Sequence, residues 1–292
     1  MLVILALCLR TLMHPNEKVA PKIILLIIVF AFMVPPSAHI ILRAENKWFP
    51  FKYDCFLYVI DKQLGVSAFW VARHLTEWQK SILFQIYQSL VAVMIVWYAV
   101  NLKRRDGRPG TLLLTYVITF LAGACLYVIV PACGPRHAFG SAFPMREPDV
   151  SPVLVSLDYW PNAIPSLHVA TALLFVFFAG KSPLLRFVAA VYLGGTVAAT
   201  LAFEHYVIDL VVAVPFACFV TRLAEGEVWS AFGNLALVLG WLLTIRFATP
   251  ELVAYPALLR VLAVTTIGFA LFGMRRLPKL SCAGFKPLSI EG

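Results

Sequence analysis

The chain has 292 residues, 61% of them hydrophobic and 13% charged, with a net charge of +9 and a mean hydropathy of +0.85. That balance excludes a soluble globular domain and fits a polytopic membrane protein. The basic residues lie in short clusters between apolar runs, a pattern that orients membrane spans, so no nucleic-acid partner is expected.

Residues 1–21 read as a leader or interfacial segment. The apolar stretch 1–9 is interrupted by Arg10, is too short to span, and lacks a basic start and a small-residue cleavage site. A span needs about 17–25 mostly apolar residues. On that rule about eight transmembrane helices are predicted, near 23–42, 82–101, 111–131, 163–180, 184–203, 206–224, 230–247 and 253–273. Pro35-Pro36 should kink or end the first. Between the first two, residues 54–80 alternate Asp54, Asp61, Lys62, Arg73, His74 and Glu77 with Phe56, Leu57, Ile60, Leu64, Phe69, Trp70 and Val71. That pattern predicts one or two amphipathic helices lying in the membrane interface.

Basic residues set the orientation. Lys103, Arg104, Arg105 and Arg108, then Lys181 and Arg186, then Arg222, and finally Arg275, Arg276 and Lys279 fall on one side if the N-terminus is cytoplasmic. The segments 43–81, 132–162 and 203–205 then face outward. The polar hinge Ala224-Glu225-Gly226-Glu227 divides a core of six spans, residues 22–224, from a C-terminal two-helix hairpin and tail, residues 225–292. The hairpin carries no obvious chemistry and is expected to have a packing role. Six cysteines, at 8, 55, 125, 133, 218 and 282, show no metal-type spacing. Cys55 and Cys133 share the expected outer face, where a disulfide between them is one option.

Three elements at the outer ends of spans carry candidate chemistry. The third span ends in Val130-Pro131-Ala132-Cys133-Gly134-Pro135-Arg136-His137, a rigid turn presenting Arg136, whose guanidinium suits phosphate. The fourth opens with Asn162-Ala163-Ile164-Pro165-Ser166-Leu167-His168. There, free backbone N–H groups and the helix dipole form an anion site at Ser166 and Leu167, with His168 within a turn. The sixth opens with His205 and Asp209, four residues apart and hence on one helix face. An aspartate entering a span costs roughly 2.5–3.5 kcal/mol at the helix centre, less near an end, unless a partner hydrogen-bonds it. A carboxylate that holds one imidazole nitrogen also makes the other a better nucleophile or base. Together these residues make a phosphoryl-transfer site that needs no metal and no cofactor.

Arg136, then Pro165-Ser166-Leu167-His168, then His205-x-x-x-Asp209 resemble the motifs of the phosphatidic-acid-phosphatase type 2 superfamily, whose six-helix core would cover residues 22–224. Four positions depart from its usual signature of Lys-x6-Arg-Pro, Pro-Ser-Gly-His and Ser-Arg-x5-His-x3-Asp. Ile129 stands for the lysine, His137 for the proline after the arginine, Leu167 for the glycine, and Ala198-Ala199 for Ser-Arg. Pro-Ser-Leu-His, His205-Tyr206-x-x-Asp209 and the Pro-x-x-Pro-Arg character of residues 131–136 are similar to the inositol phosphorylceramide synthase branch.

The resemblance implies that His205 is the nucleophile forming a phosphohistidine, that Asp209 orients it, and that His168 protonates the leaving oxygen and then deprotonates the acceptor. Arg136, Ser166 and Leu167 would bind the phosphate. Lys47, Lys52, His137 or Arg146 are candidates for the missing cations. Glu204 and His137 are possible substrate contacts. The expected substrate is a lipid phosphate or lipid-linked phosphodiester, handled at the outer leaflet, on the periplasmic side of a bacterial inner membrane. An inositolphosphotransferase-like enzyme is one outcome, a lipid phosphate or polyprenyl diphosphate phosphatase a second, and a non-catalytic lipid-binding or transport protein on the same fold a third.

Overall fold

The computed structural model describes residues 34–140 and 143–275. The leader 1–21, most of the first expected span and the tail beyond residue 275 lie outside the described residues. Those described form an all-α polytopic membrane protein. In chain order they are α1 (Val34–Trp48), β1 (Phe51–Lys52), α2 (Asp54–Leu64), α3 (Ala68–His74), α4 (Glu77–Gln88), α5 (Leu90–Lys103), α6 (Pro109–Tyr127), α7 (Pro135–Phe139), β2 (Val155–Ser156), α8 (Leu167–Phe177), α9 (Pro183–Phe203), α10 (Val207–Ala224), α11 (Val228–Phe247), α12 (Thr249–Ala254) and α13 (Pro256–Arg275).

Among the described residues five helices, α6, α9, α10, α11 and α13, are long and apolar enough to cross a membrane, and up to seven spans result if each of two bent pairs counts as one. One pair is α4 with α5, bent by 53° where a single span near 82–101 is expected. The break falls at Ser89, whose hydroxyl donates to the Ile86 carbonyl at 2.7 Å, as does the Tyr192 hydroxyl at 3.2 Å. Hydroxyls that compete for helix carbonyls bend helices. The fourth expected span shortens to the 11 residues of α8. Its apolar approach, Ala163 to Pro165, is buried backbone outside the helix, and Ser166 starts the helix by accepting the Val169 N–H. Hydropathy registers burial, so it cannot separate such a loop from the helix it feeds.

The other pair is α2 with α3, bent by 76°. Here the expectation of polar residues on a wet helix face meets a different arrangement. α2 packs against α10, α12 and α13, and its Asp54 and Asp61 are fully buried beside Leu57, Tyr58 and Ile60. Central to everything is α10, which contacts α2, α6, α8, α11 and α13. Its apolar stretch is 78% buried, against 28% for α9. The C-terminal pair α11 and α13 lies directly on α10. Arg246 also donates to the Ile129 carbonyl at 2.5 Å and Arg260 to the Gln63 carbonyl at 2.9 Å.

The two short strands pair antiparallel, Phe51 opposite Ser156 and Lys52 opposite Val155. They tie the loop after α7 back to the start of α2. Cys55 and Cys133 are both free thiols, so the disulfide is not formed. The Cys133 Sγ instead lies 3.5 Å from an Asp54 carboxylate oxygen. Burial and that carboxylate push the thiol up.

Candidate active site

The three sequence elements converge at one end of the bundle. Asn162 and Ala163 donate their N–H groups to the Ala132 carbonyl at 2.9 and 3.0 Å, joining the 131–137 turn to the approach of α8. The Ser166 N–H reaches the Asp209 carbonyl at 3.4 Å, joining that approach to α10.

His205 sits in the turn between α9 and α10 and is 3% exposed. Its Nδ1 lies 2.8 Å from the Ala163 carbonyl and 3.3 Å from Asp209 Oδ2. Both partners are acceptors, so Nδ1 carries the proton and Nε2 keeps its lone pair. Asp209 meets His205, but not along one helix face as expected: His205 precedes α10, Asp209 reaches back from its first turn, and the nearer partner is a backbone carbonyl of the second motif. Asp209 Oδ2 also accepts the Tyr206 N–H at 2.8 Å, which closes the first turn of α10.

The His168 ring lies 6.3 Å, centroid to centroid, from that of His205 and stacks on Tyr87 at 3.8 Å and 15°. Tyr87 comes from the last turn of α4, and the sequence carries no signal for it. Among the described residues the His168 ring nitrogens make no hydrogen bond, which leaves them open to a reacting oxygen. Ser166 is fully buried. Leu167 projects toward Gly123 of α6, where an added Cβ would lie 2.5 Å from its Cδ2. The bulk that Leu167 adds to the second motif is thus housed where α6 has no side chain.

The 131–137 turn docks on the turn holding His205. Gly134 has φ of +86° and ψ of 159°, a region open essentially to glycine alone. A Cβ there would stand 1.9 Å from the Glu204 carbonyl oxygen. His137 Nε2 pairs with Glu204 Oε2 at 2.8 Å while its ring stacks on Tyr159 at 3.6 Å. The two candidate substrate contacts thus hold each other. Burial, and secondarily the nearby Glu204 carboxylate, raise the Tyr159 hydroxyl. Arg136, on α7, is exposed.

The candidate compensating cations lie elsewhere. Lys52 is buried and bound to Asn46 Oδ1 at 2.8 Å and the Phe49 carbonyl at 2.5 Å. Desolvation pulls its ammonium below the ordinary lysine range. Lys47 and Arg146 are exposed.

Two residues missed from sequence build the scaffold. Asp54 accepts the Cys133 N–H at 3.1 Å, the Gly134 N–H at 2.8 Å and the Tyr206 hydroxyl at 2.9 Å. Asp61 accepts the Val207 N–H at 2.8 Å and the Ile208 N–H at 3.1 Å, capping α10 from outside. The two carboxylates are seven residues apart on α2, two turns on one face. That spacing was legible, but an aspartate pair of this kind reads equally well as a wet face. Among the described residues no group of three or more His, Cys, Asp and Glu could hold a metal ion.

Residues 56–223 match the family model described as the PAP2 superfamily. The chain belongs to the PAP2 superfamily. No curated protein and no solved structure shows a significant match to it. The matched segment of this PAP2 chain runs from α2 to the end of α10 and contains both histidines, Arg136 and Asp209, whereas α11 and α13 lie beyond it. It is an integral-membrane member of a family of lipid phosphatases and phosphotransferases.

Proposed function

We propose that the chain is a lipid phosphotransferase or phosphoesterase, inositolphosphotransferase-like, working through a phosphohistidine on His205. The observation that carries this reading is the His205 ring itself. Its Nδ1–H is committed to Ala163 and Asp209, so Nε2 is the nucleophilic atom, with His168 across from it. In the first step Nε2 attacks phosphorus, the P–O bond to the leaving group breaks, and His168 delivers a proton to the departing oxygen. The second step runs in reverse. His168 takes the proton from an incoming hydroxyl, that oxygen attacks the phosphorus, and the P–N bond breaks. The positive charge that His205 acquires on phosphorylation is met by Asp209, whose second oxygen has no hydrogen-bond partner among the described residues. Arg136, Ser166 and the backbone at Leu167 supply the phosphate contacts. The active site faces the outer leaflet, because the basic loops lie together at the opposite end of the bundle.

The test is headgroup release and transfer by purified protein in nanodiscs, with phosphatidate, a polyprenyl diphosphate and phosphatidylinositol as donors, with and without ceramide or diacylglycerol. His205→Ala should lower turnover at least 1,000-fold, on the order of what a lost catalytic group costs. An acid-labile labelled phosphoenzyme should form in the native chain and not in the variant. Acceptor-dependent transfer from phosphatidylinositol supports the transferase; acceptor-independent phosphate release from a monoester makes it a phosphatase. Full turnover in His205→Ala overturns the mechanism.

A further inference from the structure

A cavity of about 370 Å³ opens beside the catalytic turns. Its polar lining is Arg136, Lys80, Ser81 and Glu77. The rest is apolar, mainly Phe84, Phe143 and Phe203. Two elements far apart in sequence thus deliver one cation each to a single cavity, the α7 turn giving Arg136 and α4 giving Lys80. Phe84 and Phe203, both in the cavity wall, meet edge to face at 6.0 Å.

The packing that brings Lys80 there is readable in α9. Gly195 faces α4 so closely that an added Cβ would lie 2.9 Å from Ile86 Cδ1. Ala199 and Ala202 follow at i+4 and i+7 on that face, and Ala202 lines the cavity. A large side chain at these positions would hold α4 away. Instead α4 comes close and lays Lys80 and Ser81 against the end of α9.

We propose that this cavity is an entry subsite for an anionic phospholipid, with Lys80 and Arg136 clamping the lipid phosphate, Ser81 adding a hydrogen bond, and the chains lying along Phe84, Phe143 and Phe203. It rests on the functional reading above and names how the substrate is held before attack. Its position suits that task. Phe203 is two residues from His205, at most about 7 Å of chain, and Arg136 adjoins His137, which holds Glu204. Among the described residues Glu77 is the one carboxylate lining the cavity. It pairs with Lys80 at 2.9 Å, but its side chain is 90% exposed. Such a surface pair is weak, so an arriving phosphate displaces the carboxylate at little cost.

The experiment uses the full chain with His205→Ala, so that bound lipid is not consumed, and the soluble probes dihexanoyl phosphatidate, dihexanoyl phosphatidylinositol and dihexanoylglycerol. Adding Lys80→Gln should weaken both phosphate lipids about ten-fold, phosphatidate more than the singly charged diester, and leave the uncharged glyceride unchanged. Lys80→Arg should keep the affinity. In the chain with His205 intact, Lys80→Gln should raise KM about ten-fold with kcat within two-fold. Unchanged phosphate-lipid affinity in Lys80→Gln, or an equal loss for the glyceride, overturns the subsite. Turnover that survives His205→Ala overturns the phosphohistidine instead, and the binding comparison still decides the cavity.

Discussion

The two ends of the bundle are both rich in charge and use it in opposite ways. At the end away from the histidines Arg104, Asp106, Arg108, Arg186, Arg222, Glu225 and Glu227 are each bound to another group. Arg104 donates to Asp106 at 2.7 Å and to the Phe178 carbonyl at 3.1 Å, and Asp106 accepts the Lys181 N–H at 3.3 Å. Arg186 holds the Gly180 carbonyl at 2.7 Å, Arg108 holds Glu225, and Arg222 holds Glu227 at 2.6 Å and the Gly273 carbonyl. Two of these contacts, to the Phe178 and Gly273 carbonyls, satisfy helix-end carbonyls that have no partner within their own helix. At the site end the carboxylates Asp54, Asp61 and Asp209 bind backbone N–H groups and the His205 ring. No lysine or arginine answers them in a salt bridge among the described residues, and Arg136 has no carboxylate partner there. Arg108 and Glu225 tie two loops together. Arg136, without such a partner, is available to a ligand.

The comparison breaks most visibly at Asp54. Asp54→Ala leaves the Cys133 and Gly134 N–H groups and the Tyr206 hydroxyl without their acceptor. Hydrogen bonds to a charged group are worth about 1.5–3 kcal/mol each. The expected loss is about 3 kcal/mol or more of stability and over 100-fold in turnover, read by denaturant unfolding in detergent and by headgroup release. A stable, fully active Asp54→Ala protein would mean that the turns hold themselves.

Gly134→Ala is narrower. Its Cβ must displace the Glu204 backbone, and the conformation itself costs about 1–3 kcal/mol for a residue other than glycine. A shift of about 1 Å at a catalytic turn can cost about 100-fold in rate. We expect that fall in kcat with the helical circular dichroism signal intact. An unchanged kcat would separate the 131–137 turn from catalysis.

The smallest effect is at the opposite end. Hydrogen bonds from Arg104, and next the Lys181 N–H, hold the exposed Asp106 carboxyl below its usual range. A depressed folded-state pKa adds stability above the unfolded value, near 3.9, and that contribution is lost as pH falls through the folded value. Asp106→Asn should leave turnover unchanged at pH 7 and flatten the acid limb of the unfolding midpoint below about pH 4. Identical acid limbs in the two proteins would mean the contact does not respond to protonation.

Much of this molecule was legible before folding. The long apolar runs marked α6, α9, α10, α11 and α13, because a 17–25-residue apolar segment has few other places to go. The short spacing of His205 and Asp209 brought those side chains together, though not along one helix face: His205 precedes α10, and Asp209 reaches back from its first turn. The basic clusters at 104–108, 181–186 and 222 marked loops that do gather at one end. Local pattern failed where an apolar or polar residue had two possible surroundings. Ala163 to Pro165 read as span and is a buried loop. Asp54 and Asp61 read as a wet face and are the buried acceptors of the site.

By itself, then, the sequence determined the membrane class, the order of the helices and the three short motifs that meet at one end of the bundle, since each of these depends on neighbours within one or two helical turns. Only the tertiary structure decided that Ala163 shares the orienting of His205, that Tyr87 backs His168, that Glu204 and His137 engage each other, and that Lys80 joins Arg136 around one cavity. Each of those contacts joins segments at least 40 residues apart. Their partners are chosen by how helices pack, which no local period records.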